Sequence, residues 1–269
     1  ISEAVKSADL IVVATPTQFI RSVIENIKDI DFTNRVILSV SKGIENHSLM
    51  TVSQIFQDVF KNIQKKNITV LSGPSHAEEV AKHIPTAVAA AGYEEKNSEV
   101  IQKAFSNKYF RVYKSSDVVG VELGGALKNV IAIAAGIADG AGFGDNTKAA
   151  IMTRGIREIT RFGMRFGAHE HTFMGLSGIG DLIVTCMSKH SRNRFVGEEV
   201  GKGKKLKQVL AEMKMVAEGV ATTESTHELA QKLGVELPII EQVYKVLFMG
   251  KDPHQSTEKL MTRNLKDEK

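Results

Sequence analysis

Short apolar runs alternate with stretches of helical spacing over the first 115 residues. The apolar runs predict buried strands at residues 10–14, 36–40, 68–71, 86–91 and 110–113. Between them, apolar side chains recur three and four residues apart, which predicts helices at residues 18–27, 48–63, 76 onward and 98–105. Strands that alternate with helices pair in parallel through helical crossovers, so the pattern predicts an α/β domain with a parallel sheet.

The pattern changes from about residue 116. No convincing strand follows, and helical spacing predicts helices at residues 123–137, 147–166, 191–201, 206–215, 222–233 and 239–249. We therefore expect two domains, an α/β domain over residues 1–115 and an all-helical domain over residues 116–269.

Composition excludes several classes of protein. The hydrophobic fraction of 42% and the charged fraction of 25% are typical of a globular chain. No apolar run is long enough for a transmembrane helix, and residues 1–10 do not resemble a signal peptide, so we expect no membrane insertion. Cys186 is the only cysteine, which fits a reducing cytoplasm. The net charge of +4 suits an anionic small molecule as well as nucleic acid, and no stacking motif supports nucleic acid.

Two polar, glycine-bearing segments directly follow predicted strands. Ligands of open α/β sheets lie at the carboxyl ends of strands, so Lys42 in the first segment is placed to meet a phosphate or a carbonyl. The alternative is a surface lysine in a glycine turn. In the second segment, Ser75 and Glu78 have the spacing of a capping box at a helix N-terminus, where free N–H groups could also meet an anion.

Two further segments lie in the helical part. Lys128 and Asn129 are polar residues in a strongly apolar helix, and a buried lysine there could stabilise and protonate the alkoxide of a ketone reduction. The alternative is a lysine that reaches out at the helix edge. Asp181 and Thr185 would share one helix face and could hold substrate hydroxyls, while Arg192 offers a fork for phosphate oxygens. Their alternatives are a helix cap and a surface arginine.

Taken together, these segments resemble the bacterial type of NAD(P)-dependent sn-glycerol-3-phosphate dehydrogenase. The most specific resemblance runs from Gly125-Ala126-Leu127-Lys128-Asn129 to Gly142-Phe143-Gly144-Asp145-Asn146. Further matches are Ser41-Lys42-Gly43, Gly73-Pro74-Ser75, Gly178-Ile179-Gly180-Asp181 and Ser191-Arg192-Asn193. The resemblance implies a partial Rossmann-type sheet followed by an all-α domain like that of 6-phosphogluconate dehydrogenase.

The resemblance also implies roles for matching residues. Lys128 would be the proton donor and acceptor. The substrate, dihydroxyacetone phosphate or sn-glycerol 3-phosphate, would contact Lys42, Gly73, Ser75, Lys128, Asn129, Asp181, Thr185, Ser191, Arg192 and Asn193. NAD(P)H or NAD(P)+ would contact Lys42, Ala77, Arg192, Val216 and Glu218. A cytoplasmic homodimer that supplies glycerol phosphate for glycerophospholipid synthesis is also implied, without a metal.

The chain departs from the family at its start. It has no Gly-x-Gly-x-x-Gly turn for a dinucleotide pyrophosphate and no initiator methionine, so we expect that it enters near the family's fourth strand. Such a truncated chain would bind the cofactor poorly. Three alternatives remain open: a hydroxyacid or 6-phosphogluconate dehydrogenase, a catalytically idle NAD(P)-binding protein, and a nucleic-acid-binding protein.

Overall fold

A five-stranded sheet organises the first part of the chain. The computed structural model describes residues 1–265, 267 and 268. The strands lie side by side in chain order as β1 (Leu10–Val13), β2 (Val36–Ser39), β3 (Ile68–Ser72), β4 (Thr86–Gly92) and β5 (Phe110–Ser115). β1, β2 and β3 pair in parallel, and β4 pairs in parallel with β5. The predicted α/β class is therefore confirmed.

The prediction of an entirely parallel sheet is wrong between β3 and β4. These strands are antiparallel, with Ser72 opposite Ala89. The only helix between them is α4 (Ala77–Val80), which has four residues. Such a helix spans about 6 Å, whereas a parallel crossover must carry the chain back along a strand of about 16 Å. The chain therefore reverses into an antiparallel neighbour.

The other helices of this part flank the sheet. They are α1 (Ser2–Lys6), α2 (Thr17–Ile24), α3 (Val52–Val59) and α5 (Glu95–Phe105). The helix predicted over residues 48–63 is shorter than expected, because Thr51 and Gln54 form a capping box that starts α3 at Val52. His47 and Leu49, just before it, have φ angles of 67° and 59°, which a helix cannot contain.

After β5, all regular secondary structure in the described residues is helical. They are α6 (Val118–Gly140), α7 (Asp145–Met164), α8 (Asp181–Met187), α9 (Arg192–Gly201), α10 (Leu206–Glu212), α11 (Glu218–Leu233), α12 (Pro238–Met249) and α13 (Pro253–Met261). A 3₁₀ turn (Glu170–Met174) and a π-helical turn (Leu176–Gly180) precede α8. The predicted helical region after residue 116 is confirmed, and several helices begin or end a few residues from their predicted positions.

The long helix α6 lies at the centre of this helical part. Its side chains from Leu123 to Ala138 form the main hydrophobic core together with α7, α9 and α12. In the described residues, α6 is the one helix that could cross a membrane by length and composition, and 89% of its most apolar window is buried inside the protein. A buried core helix passes the same test, so this finding is weak evidence for a membrane span.

Candidate active site

Two glycines bring Lys128 of α6 to the carboxyl end of β3. A Cβ atom on Gly125 would lie 2.5 Å from Ser72 Oγ, and one on Gly124 would lie 2.7 Å from the Ser177 carbonyl oxygen. Only glycine permits this approach, because Cβ atoms do not come so close to other heavy atoms. Lys128 lies one turn further along α6, on the face that meets β3 and the turn before α8.

Lys128, Asp181 and Lys42 form a compact charged cluster. Lys128 Nζ lies 2.9 Å from Asp181 Oδ1 and donates to Thr185 Oγ1 at 2.7 Å. Lys42 Nζ lies 2.6 Å from Asp181 Oδ2. Lys128 is 6% exposed and Asp181 is 2% exposed. Lys128 is therefore not the helix-edge lysine that was the alternative, while Lys42, with a side chain 19% exposed, is paired with a buried carboxylate.

The shared carboxylate sets the charge states of the cluster. The pKa of Lys128 is lowered to about 8: burial is the main cause, Asp181 opposes it, and the neighbouring charge of Lys42 adds to it. Burial alone would raise the pKa of Asp181, but Lys128 and Lys42 outweigh it and leave the pKa below its usual value. The cluster sets two basic side chains against one carboxylate, and this imbalance favours an anionic ligand.

Gly73 positions the second lysine. Its φ angle is +148°, and a Cβ atom there would lie 2.9 Å from Val88 Cα, so only glycine fits between β3 and β4. Its carbonyl oxygen accepts a hydrogen bond from Lys42 Nζ at 3.1 Å. Lys42 follows β2, as the sequence predicted, and points across the carboxyl ends of the strands towards Asp181.

Two asparagines connect the cluster to α9 and α11. Asn129 Nδ2 donates to the Lys42 carbonyl oxygen at 3.3 Å, and Asn193 Nδ2 donates to Asn129 Oδ1 at 2.9 Å. The Gly219 N–H donates to Asn193 Oδ1 at 2.9 Å. Each amide thus bonds to other protein groups and keeps part of its hydrogen-bonding capacity for a ligand.

Arg192 and Ser191 begin α9. Ser191 Oγ accepts from the Arg194 N–H at 3.1 Å and so caps the helix. Arg192 is exposed, and its guanidinium donates to the Val216 carbonyl oxygen at 2.8 Å. This bond uses one of five N–H donors, so the rest of the guanidinium can meet phosphate oxygens beside a helix N-terminus.

The capping box predicted for Ser75 and Glu78 is wrong. Ser75 Oγ donates to the Gly73 carbonyl oxygen at 3.0 Å, and His76 is the N-cap residue of α4. The helix therefore begins one residue later than a capping box at Ser75 would require. Ala77 is the first residue of α4 and is exposed at the end of this turn.

Sequence reasoning missed a contact between Glu218 and the turn after β1. Glu218 Oε1 accepts from the Thr17 backbone N–H at 2.6 Å, across 201 residues of sequence. It also missed His76, whose pKa is lowered by burial and then by the charge of Lys128. No local pattern marks these contacts, because they arise only when the helical part folds against the sheet.

The described chain also holds one buried cysteine and a pair of stacked histidines. Cys186 is buried, and burial raises the pKa of its thiol to about 12, so it stays protonated and packs as an apolar group. His169 and His171 stack with ring centroids 5.4 Å apart. Within residues 1–265, 267 and 268, no group of three or more His, Cys, Asp and Glu side chains could hold a metal ion.

The fold and the cluster together define the class of protein. A buried, charge-paired lysine at the carboxyl ends of a mostly parallel sheet, against an all-helical domain, is the arrangement of a two-domain Rossmann-type dehydrogenase. Comparison with known proteins identifies the family. A model described as NAD-dependent glycerol-3-phosphate dehydrogenase C-terminus matches residues 117–258, and the corresponding N-terminus model matches residues 1–98.

Similar proteins agree with these family matches. A glycerol-3-phosphate dehydrogenase [NAD(P)+] from Geobacter sp. (strain M21) is 52% identical over 268 residues, which cover 100% of this chain and 80% of that protein. One from Salinibacter ruber is 50% identical and is covered over 79% of its length. The crystal structure of glycerol-3-phosphate dehydrogenase from Coxiella burnetii is 34% identical, with a TM-score of 0.92 over 98% of this chain and 80% of that one. The chain belongs to the NAD-dependent glycerol-3-phosphate dehydrogenase family.

Proposed function

We propose that the intact protein catalyses reversible hydride transfer between NAD(P)H and dihydroxyacetone phosphate, which gives sn-glycerol 3-phosphate. The observation that carries the proposal is the buried ammonium group of Lys128, held by Asp181 and Thr185 in a chain of this family. Relatives named glycerol-3-phosphate dehydrogenase [NAD(P)+] support the substrate and the cofactor.

Lys128 is the proposed acid and base. An ammonium group has three N–H donors, and Asp181 and Thr185 take two of them. The third can point to the carbonyl oxygen of the substrate. As the ketone becomes an alkoxide, Lys128 stabilises the developing charge and gives up a proton to the oxygen. In the opposite direction the neutral amine takes the hydroxyl proton.

The low pKa of Lys128 suits both directions. With a pKa of about 8, an appreciable fraction of the amine is neutral near pH 8, whereas an ordinary lysine would be almost wholly protonated. Asp181 holds the ammonium in place without accepting its proton, because its own pKa is lowered by the two lysines. The cluster therefore keeps one mobile proton at the reacting oxygen.

The remaining predicted residues surround this centre. We propose that Lys42, Asn129 and Asp181 orient the carbonyl and hydroxyl oxygen atoms of the triose. Gly73, Ser75 and Thr185 line the same substrate site. The phosphate is assigned to Ser191, Arg192 and Asn193 at the start of α9, where helix N–H groups and the guanidinium favour a dianion.

The donor set also fits a nicotinamide dinucleotide. Arg192 and Lys42 offer cationic donors for phosphate oxygens, and the Val216 carbonyl orients Arg192. Glu218 and Ala77 complete the proposed contacts. When bound, the cofactor supplies or accepts the hydride at the substrate carbon, and the residues of this chain position the two reactants and move the proton.

Further features of the protein, from its domain boundary to its oligomeric state, are also proposals. We place the domain boundary near residue 115, since β5 ends at Ser115 and α6 begins at Val118. We propose a cytoplasmic homodimer without membrane insertion, whose product is used in glycerophospholipid synthesis. Sedimentation of the purified chain tests the dimer, because a monomer at micromolar concentration would contradict it.

Substrate comparison tests the proposed activity. Absorbance of NADH and NADPH is followed with dihydroxyacetone phosphate, with unphosphorylated dihydroxyacetone and with pyruvate, and oxidation of 6-phosphogluconate is followed with NAD+ and NADP+. We expect turnover of dihydroxyacetone phosphate. Dihydroxyacetone and pyruvate should react little, because they lack the phosphate that the charges of Lys42 and Arg192 select, and 6-phosphogluconate should react little because the relatives are named for glycerol 3-phosphate. Preference for a carboxylate substrate would favour a sister dehydrogenase, and cofactor binding without any turnover would favour an idle binder.

A further inference from the structure

A closed ring of contacts passes through the site and joins its two sides. From Thr17 it runs through Glu218 to Gly219 at the start of α11. It continues through Asn193 and Asn129 to the carbonyl of Lys42. The donor–acceptor distance is 2.6 Å between Thr17 and Glu218 and 2.9 Å between Gly219 and Asn193. It is 2.9 Å between Asn193 and Asn129 and 3.3 Å between Asn129 and Lys42. Gly43 closes the ring, since a Cβ atom there would lie 2.8 Å from Thr17 Oγ1.

The two halves of this ring lie on different sides of the site. Thr17 and Lys42 follow the carboxyl ends of β1 and β2, the edge of the sheet where dinucleotides bind. Asn129 and Asn193 are assigned to the substrate, and they are direct neighbours in sequence of Lys128, the proposed acid and base, and of Arg192, which is assigned to both ligands. The first turn of α11, at Glu218 and Gly219, is the point where the halves meet.

Glu218 caps the first turn of α2 by accepting a hydrogen bond for which the N-cap residue of α2 offers no side-chain acceptor. The N-cap of α2 is Pro16, and the Thr17 N–H at its first turn finds its acceptor in Glu218. A carboxylate at a helix N-terminus is favourable because it meets the positive end of the helix dipole. The helical part therefore supplies the cap of a helix in the α/β part, and the cap forms only when the two parts are held together.

The start of α11 is packed tightly against the asparagine pair. A Cβ atom on Gly219 would lie 2.7 Å from Asn193 Oδ1 and 2.8 Å from the Asn129 carbonyl oxygen. A shift of Asn193 would therefore disturb both this packing and the hydrogen bond that it accepts from the Gly219 N–H, next to Glu218. Packed contacts of this kind transmit small displacements because neighbouring groups cannot deform independently.

From this ring we infer that Glu218, beyond its proposed contact with the cofactor, has a positioning role that couples the binding of the phosphorylated substrate to the binding of the nicotinamide cofactor. The inference rests on the proposed function and adds to it. A ligand that orders the asparagines also fixes Gly219 and Glu218, and Glu218 then holds the Thr17 turn on the cofactor side. The coupling is reciprocal, because each ligand must change the affinity for the other by the same factor.

The test measures this coupling without turnover. NADH and sn-glycerol 3-phosphate are both reduced, so they can bind together and cannot react. The dissociation constant of NADH, and of NADPH in parallel, is measured by fluorescence with and without saturating sn-glycerol 3-phosphate. In the unchanged chain we expect at least about fivefold tighter cofactor binding with the second ligand present.

Three variants separate coupling from general damage. Glu218→Ala should bring the ratio of the two dissociation constants close to one. Glu218→Gln should keep most of the ratio, because its amide oxygen can still accept from Thr17. Glu224→Ala is the matched control, since Glu224 also joins the two parts of the chain, by accepting from Asn46 Nδ2 at 2.7 Å, and lies outside the ring. It should keep the ratio of the unchanged chain.

Each result decides the inference. Three outcomes would overturn it. The first is a ratio of dissociation constants near one in the unchanged chain, and the second is an unchanged ratio in Glu218→Ala. The third is a ratio that falls as much in Glu224→Ala as in Glu218→Ala. A merely structural role would lower the melting temperature and both affinities while leaving the ratio intact. Reduction of dihydroxyacetone phosphate is measured on the same preparation. If that reaction is present while the ratio test fails, only the inference is lost, whereas its complete absence contradicts the proposed function itself.

Discussion

Replacement of Asp181 by asparagine is the perturbation that bears most directly on the charged cluster. The change keeps the shape of the side chain and removes its charge, so Lys128 loses the carboxylate 2.9 Å away while Lys42 stays close by. Asp181 raises the pKa of Lys128, and both burial and Lys42 lower it. The pKa of Lys128 must therefore fall in the variant.

The size of the fall follows from ordinary charge pairs. Loss of an opposite charge within about 4–6 Å changes a pKa by about 1–3 units, which moves Lys128 from about 8 to between roughly 5 and 7. At pH 7 the protonated fraction then drops from about nine tenths to between roughly one half and one hundredth. Reduction of the ketone needs the protonated form, so its rate at pH 7 should fall about 2-fold to 100-fold from protonation alone.

The assay is the pH dependence of kcat/KM for dihydroxyacetone phosphate between pH 5 and 9, which reports groups of the free enzyme. The unchanged chain should lose activity as the pH rises through about 8, and Asp181→Asn should lose it at a lower pH. Asp139→Asn is the matched control, because Asp139 also binds two cations, Lys148 and Arg194, away from the cluster. It should leave the midpoint in place. A midpoint that stays near 8 in Asp181→Asn, or rises, would refute this assignment of charges.

Three further predictions concern packing, phosphate binding and stability. Gly125→Ala should destabilise the chain by about 1–3 kcal/mol in urea unfolding, because its Cβ atom would meet Ser72 Oγ at 2.5 Å. Gly144→Ala, whose Cβ atom meets nothing within 4 Å, should lose only the preference for glycine at the N-cap of α7, so its effect should be smaller. Equal effects would contradict the close approach. Arg192→Lys should raise KM for dihydroxyacetone phosphate about tenfold or more with a smaller change in kcat, because lysine keeps the charge but lacks the planar fork of the guanidinium. An unchanged KM would remove Arg192 from the phosphate site. Burial raises the pKa of Glu158 to about 7. The protonated side chain therefore stabilises the folded state fully below about pH 4.5, and this stabilisation is lost as the pH rises through 7. Between pH 4.5 and 7.5 the free energy of unfolding should fall more in the unchanged chain than in Glu158→Gln, by on the order of 3 kcal/mol. Parallel pH profiles of the two proteins would contradict the assignment.

The strands and most helices were predictable because their signals are local. An apolar run such as Val36–Ser39 has the length and composition of a buried strand, and the spacing in α6 is that of a helix buried on all sides. The direction of β4 was not predictable from such signals. It depends on whether the connection after Gly73 can cross the sheet, and the sequence pattern does not give the length of α4.

The candidate site was predictable in part for the same reason. Asp181 and Thr185 lie on one face of α8, as their spacing indicated, and Thr185 Oγ1 donates to the Asp181 carbonyl oxygen at 2.6 Å. The pairing of Asp181 with Lys128 and Lys42 joins residues far apart in sequence, so only the fold shows which charges balance. The roles assigned to individual residues stay predictions until the variants are measured.

The role of Lys128 as the proton donor is the central claim, and one measurement tests it most directly. Oxidation of NADH and NADPH by dihydroxyacetone phosphate is compared between the unchanged chain and Lys128→Met, with melting temperature and cofactor binding measured on both. We predict that the variant stays folded, binds the cofactor and loses about 10²–10⁴-fold in kcat. A folded Lys128→Met variant that keeps its rate within a few-fold of the unchanged chain would contradict the account.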